Sequence, residues 1–146
     1  MKKIITIIAI TALSMAYCNA QKYTTADVKG ITESFINTLM NEDISMTLEF
    51  FDPAYVAEQH DNFLEGRTEQ FVSEFLAGSY KKGFYFVNPK IREIRSIKIK
   101  KCVCKIDKGD IYSIVEILLD TGVKYKVQLD MIITENGDLC FIGAVG

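Results

Sequence analysis

The sequence predicts an α+β domain, with helices first and an antiparallel sheet after them. Two patterns carry that expectation. Between Thr24 and Gly78 apolar residues recur at steps of three and four, the period of a helix face. From Ile91 onward the period drops to two, interrupted by turn residues. Helical runs followed by strand runs, with no Pro/Gly/Ser-rich linker between them, indicate one layered domain. A chain of 146 residues agrees with a single domain.

The first helix starts near Thr24 or Thr25, either of which can cap it, and Asp27 suits its positive end. Val28, Ile31, Phe35 and Leu39 form its apolar stripe. Asn41-Glu42-Asp43 breaks that stripe, and Asp43 can cap a short second helix whose inner side is Ile44, Leu48 and Phe51. Asp52-Pro53 opens a third helix, with Pro53 at the first position, where its missing N–H costs nothing. This helix runs to about Glu65 and stops at Gly66. Thr68 is expected to cap a fourth helix that turns Phe71, Val72, Phe75 and Leu76 inward and ends at Gly78.

The sheet reads as a meander. Ile91 to Ile106 is one long strand in which Ile97 and Ile99 are out of phase with Cys102, Cys104 and Ile106, so a bulge is expected at Lys100-Lys101. Strands follow over 111–120, 123–134 and 139–145, with Asn136-Gly137 turning the last hairpin. Val123, Tyr125, Val127, Leu129 and Met131 face inward, while Lys124, Lys126, Gln128 and Asp130 face solvent. Ser113, Val115, Ile117 and Leu119 share the inner face. Tyr112, Ile114, Glu116 and Leu118 lie outside, an apolar row for a solvated face, and with Ile132 and Ile142 they suggest a patch covered by a partner.

Residues 1–20 read as a signal peptide: Lys2-Lys3, an apolar run from Ile4 to Leu13, and a small–x–small site at Cys18 and Ala20. The expected organisation is therefore a leader over 1–20 and one domain over 21–146, exported to the periplasm or outside. Lipidation at Cys18 is the alternative, and the one route to a membrane; bulky Tyr17 opposes it. Without the leader the chain carries 15 basic and 19 acidic residues, a formal charge of −4, which offers no footprint for nucleic acid. Cys102 and Cys104 sit two apart on a strand and Cys140 lies on the last one, so buried free thiols are expected. A C-x-C with a distant third cysteine and a single histidine lacks the ligands of a zinc site, and no metal or cofactor is expected. No phosphate loop, G-x-S-x-G elbow or H-x-x-x-H pair occurs.

His60, the only histidine, is followed by Asp61. Adjacent residues on an α-helix diverge by about 100°, so Asp61 is not expected to orient the imidazole. His60 shares its helix face with Val56, Phe63 and Leu64 and is either a satisfied core histidine or a polar group in a pocket.

Element order, together with the stretches Phe35-Ile36-Asn37-Thr38-Leu39-Met40-Asn41-Glu42-Asp43 and Leu48-Glu49-Phe50-Phe51-Asp52-Pro53-Ala54-Tyr55-Val56, resembles the NTF2-like (SnoaL-like) superfamily. The resemblance implies a cone: a curved antiparallel sheet wrapped around the helices, with a pocket at the open end. It also implies an Asp or His base in members that are enzymes and sheet-packed dimers in many that only bind. Here Glu116 and Asp130 are read as pointing outward, leaving His60 as the base candidate and Tyr125, Tyr55, Tyr80 and Tyr85 as donors. The expected ligand pocket is Tyr55, Val56, His60, Phe63, Tyr125 and Val127. The leading expectation is a non-catalytic binder of a small apolar ligand or a protein, dimeric through Tyr112, Ile114, Leu118 and Ile132. A lyase or isomerase using His60 and Tyr125 is one alternative. A cystatin-like inhibitor or interaction protein, working through a sheet edge or hairpin tips, is the other. The Lys and Arg residues spread over 90–105 read as a solvated strand face, with an anion- or partner-binding patch as the alternative.

Overall fold

Helix α1 (Thr25–Asn41) lies across a four-stranded antiparallel meander in the computed structural model, which describes residues 22–41, 43–78 and 89–146. Residues 1–20, expected to be a leader, and Tyr80 and Tyr85 lie outside the described residues. After α1 come a 3-10 helix (Ile44–Phe50), a single α turn α2 (Pro53–Tyr55), a π-helix (Val56–Phe63) and helix α3 (Thr68–Ala77). Strands β1 (Ile94–Lys105), β2 (Asp110–Leu119), β3 (Lys124–Ile133) and β4 (Leu139–Val145) pair in chain order. The α+β expectation holds at this level.

Local chemistry explains the starts of the helices. The Asp27 carboxylate accepts the backbone N–H and the hydroxyl of Thr24 at 2.6 and 2.7 Å. Asp43 accepts Ser45 N–H at 2.9 Å, and Asp52 accepts Tyr55 N–H at 3.1 Å with Pro53 at the first helical position. Val28, Phe35 and Leu39 are buried as the stripe predicts, and Thr32 joins them, its hydroxyl donating to the Val28 carbonyl and lying 3.0 Å from the Ser113 hydroxyl on β2.

The bulge in β1 falls where the phase change requires it: Ile99 faces Val115 and Lys101 faces Ile114, so Lys100 is the extra residue. A second irregularity at Arg95 brings Ile94 onto the same face as Ile97. The inner row of β2, Ile111 to Leu119, is buried at every second position, and Val127, Leu129 and Met131 are buried on β3. Val123 precedes the strand and is exposed. The first strand starts later than the sequence suggests, because 91–93 form a 3-10 turn. Gly137, with φ 89°, turns the β3–β4 hairpin.

The core is aromatic. Phe35, Phe51, Phe71, Phe75 and Phe141 meet with ring centroids 4.7 to 6.0 Å apart, mostly edge to face. Phe51 bridges to Phe141, and Asp52 N–H donates to the Phe141 carbonyl at 2.9 Å, so the segment before α2 closes part of the β4 edge. Among the described residues Cys102, Cys104 and Cys140 are free, Cys140 buried and the other two half-buried. Burial pushes all three thiols up.

Candidate functional site

The stretch from Asp52 to Gly78 contributes polar groups to two clefts, one at each end of α3. After Tyr55 the backbone winds into a π-helix, and its end is marked by wide closures: Leu64 N–H to the Gln59 carbonyl at 3.1 Å and Gly66 N–H to the His60 carbonyl at 2.8 Å. Glu65 and Gly66 both take left-handed φ, 52° and 77°, to turn the chain into α3. Only the glycine adopts that geometry without steric cost.

This winding overturns the expectation for His60 and Asp61. The imidazole Nδ1 lies 2.6 Å from Asp61 Oδ1. More residues complete each turn of a π-helix than of an α-helix, so neighbours diverge by less than the α-helical angle and two short side chains can meet. The Nε2 atom lies 2.8 Å from Thr68 Oγ1. The Thr68 hydroxyl therefore serves His60 instead of capping α3, and the residue preceding the helix, Arg67, makes no side-chain cap. His60 is 7% exposed and its ring meets the edge of Phe71 at 5.5 Å.

Tyr125 is placed elsewhere. Its hydroxyl donates to the Leu76 carbonyl at 3.2 Å, at the C-terminal end of α3. Thr68 and Leu76 are separated by about 12 Å along the helix axis at 1.5 Å per residue. His60 and Tyr125 are thus held at opposite ends of α3, each engaged in its own hydrogen bonds. Burial raises the Tyr125 phenol well above its ordinary range.

The expected pocket is also rearranged. A cleft of about 490 Å³ opens between α2, α3 and β4, lined by Tyr55, Gln59, Phe71, Glu74, Phe75 and Ile142 among others. Of the six residues expected in a pocket, Tyr55 alone lines this cleft. Val127 is packed in the core, Phe63 is 71% exposed, and His60 faces Thr68. Glu74 was missed, because a helix surface carboxylate looks solvated until its neighbour is known. Gln70 donates to Glu74 Oε1 at 2.8 Å. Burial raises the Tyr55 phenol, and the nearby Glu74 carboxylate raises it further. The cleft therefore carries a carboxylate, where the sequence suggests a site for an apolar ligand.

Glu116 and Asp130 do point away from the helices. Glu116 pairs with Lys100 at 3.2 Å, and that contact, with Lys124 and Lys126 nearby, holds its carboxyl below the usual range. A second cleft of about 500 Å³ lies at the start of α3, lined by Arg67, Thr68, Glu69, Gln70, Ser73 and Lys90.

Comparison with protein-family models, curated proteins and solved structures finds no match. Among the described residues, no helix is long and apolar enough to cross a membrane, and no cluster of three His, Cys, Asp or Glu side chains is grouped to hold a metal.

Proposed function

We propose that this chain is an exported small-molecule-binding module of the NTF2-like type, and that the cleft between Tyr55, α3 and the end of β4 is its binding site. One observation carries the reading: a carboxylate, a phenol and an amide converge over an aromatic floor. Glu74, Tyr55 and Gln59 share the cleft with Phe71, Phe75 and Ile142. A largely apolar wall with a few placed polar groups is the usual make-up of a ligand site. Gln70 occupies one Glu74 oxygen, which leaves the other to accept from a ligand. The ligand class that fits is a molecule with a flat or apolar body and a protonated amine or other hydrogen-bond donor at one end. This amends the purely apolar ligand that the sequence alone suggests. The leader-like residues 1–20 support export. The half-buried outer row of Tyr112, Ile114, Leu118 and Ile132 supports a homodimer packed through the sheet.

The test is native mass spectrometry of the protein purified from its own host, followed by thermal shift against a panel of aromatic amines. The expected result is a retained small molecule, or a stabilising amine, whose binding weakens about tenfold or more in Glu74→Gln, as loss of a charge-assisted hydrogen bond implies. An empty wild-type cleft with no amine stabilising it at millimolar concentration overturns the reading.

A further inference from the structure

The pairings at the start of α3 have the order of a nucleophilic relay. Asp61 Oδ1, His60 Nδ1, His60 Nε2 and Thr68 Oγ1 form one chain with steps of 2.6 and 2.8 Å. An ionised carboxylate only accepts hydrogen bonds. Asp61 therefore holds the proton of the neutral ring on Nδ1, and Nε2 is left as an acceptor for the Thr68 hydroxyl. That is the orienter–base–hydroxyl arrangement of acyl-transfer enzymes, recognised by geometry and roles rather than by fold or sequence order. The imidazole is buried against Phe71, whereas Thr68 also lines the 500 Å³ cleft. The hydroxyl thus stands between a sheltered base and an open space. The donors an oxyanion needs lie beside it. Phe71 N–H is the first in the helix to reach a backbone acceptor, the Arg67 carbonyl at 3.0 Å. The N–H groups of Glu69 and Gln70 have no carbonyl partner among the described residues and point out of the helix start. Arg67 and Lys90 line the cleft with Glu69; Arg67 Nε donates to the Leu64 carbonyl at 2.9 Å, which fixes the guanidinium and leaves its outer nitrogens to meet an anion, while Lys90 stands 3.8 Å from Glu93 on the exposed side.

From this we infer that Thr68 is a catalytic nucleophile for esters whose acyl part ends in an anionic group. In the first half-reaction Thr68 Oγ1 attacks the ester carbonyl carbon while its proton passes to His60 Nε2. The tetrahedral oxyanion is met by the Glu69 and Gln70 N–H groups. The C–O bond to the alcohol then breaks, and the departing alkoxide takes the proton from Nε2, leaving an acyl-threonine. In the second half-reaction water attacks the acyl carbon and gives its proton to Nε2. The carboxylic acid leaves, and Thr68 Oγ1 recovers its proton. Asp61 is a positioning residue that fixes the ring and steadies the imidazolium formed in each half. The site is independent of the Tyr55–Glu74 cleft.

The experiment mixes the full chain with 4-nitrophenyl hemisuccinate, with 4-nitrophenyl butyrate as the neutral control. Nitrophenolate release is followed, and the acylated peptide is located by mass spectrometry. The expected result is a burst approaching one equivalent, faster for the hemisuccinate, with the acyl group on Thr68. His60→Gln should slow the burst about 100-fold or more, the usual worth of a positioned base. Asp61→Asn should lower the acylation rate and leave KM close to wild type, a split that a purely structural contact does not produce. Thr68→Ser should keep the reaction and Thr68→Val should abolish it. Acylation at a lysine or cysteine, no acylation at all, or an unchanged burst in a His60→Gln protein with a wild-type circular dichroism spectrum overturns the assignment. Should Thr68→Val fail to fold, the adduct position in the wild type and in Thr68→Ser decides the matter alone.

Discussion

The two ends of α3 are each tied down by a ring with a polar tip, and they are tied differently. At the C-terminal end Tyr125 donates to a backbone carbonyl of the last turn, Leu76. That bond satisfies one of the acceptors every helix leaves over, and nothing further is exposed by it. At the N-terminal end His60 bonds a side-chain hydroxyl and leaves the first N–H groups without partners among the described residues. One end is stitched shut; the other is stitched through a group that can still react. A helix of ordinary composition thus acquires one inert end and one end with unspent donors, and the difference lies in whether the ring meets backbone or side chain.

Phe75 tests whether the two ends depend on a common support. Its ring touches Phe35, Phe51 and Phe141 from the last turn of α3, and Phe51 in turn touches Phe71 beside His60. Phe75→Ala should cost about 3–5 kcal/mol, the range for emptying an aromatic core position. Both the Tyr125 and His60 contacts should loosen together, read by urea denaturation and by hydrogen exchange at the two ends. Exchange rising at one end only would show that the ends are held separately. Gly78→Ala is the next largest. Gly78 has φ 74°, and an added Cβ would meet the backbone of Val145 and Gly146. Strain from both causes should exceed about 1 kcal/mol. The loss should be confined to the C-terminal end of α3, leaving the His60 pairings intact by NMR of the ring.

How much of this was legible in the sequence depends on the range of the interaction that decides it. Asp43 and Asp52 cap where their spacing says, the Lys100 bulge falls where the phase of Ile99 and Cys102 changes, and β4 has the bounds its hairpin implies. Each of these is set within a few residues. The Val56–Phe63 segment was misjudged as α-helix because its pattern is polar, with Glu58, Gln59, Asp61 and Asn62 between few apolar residues, and polar composition does not distinguish windings. Thr68 looked like a cap, since capping is what Thr before an apolar run ordinarily does. Its actual partner arrives from eight residues upstream, and only the turn at Glu65-Gly66 brings them together. Glu74 entered a cleft because Tyr55 and Ile142, distant in sequence, form the other walls.

A matched pair of substitutions sharpens the contrast between the ends. Tyr125→Phe leaves the Leu76 carbonyl without its donor, and Thr68→Val leaves His60 Nε2 without its hydroxyl. Each should cost about 1 kcal/mol, the usual net worth of one neutral hydrogen bond. By chemical denaturation the two should look alike. They should part only in the ester assay, where Tyr125→Phe reacts as wild type. A Tyr125→Phe protein with a slower burst would mean that the ends are coupled through α3.

The smallest effect is in alkali, and its sign follows from burial. The Tyr125 and Tyr55 phenols are raised above their ordinary value of 10.0, and the three thiols are raised above 9.0. Above those pH values the unfolded chain releases protons that the folded chain keeps. The unfolded state then binds fewer protons, and stability falls as pH rises. It is fully present below about pH 9, declines first through the thiols, and declines more steeply above about pH 10, where the phenols join. Tyr125→Phe removes the phenol with the largest shift, so its stability should start lower at pH 8 and fall less steeply between pH 10 and 11. Urea midpoints at half-unit steps measure this directly. Parallel declines for the two proteins would mean that the phenol at the inert end of α3 meets solvent, and that the end closed by Tyr125 is as open as the end closed by His60.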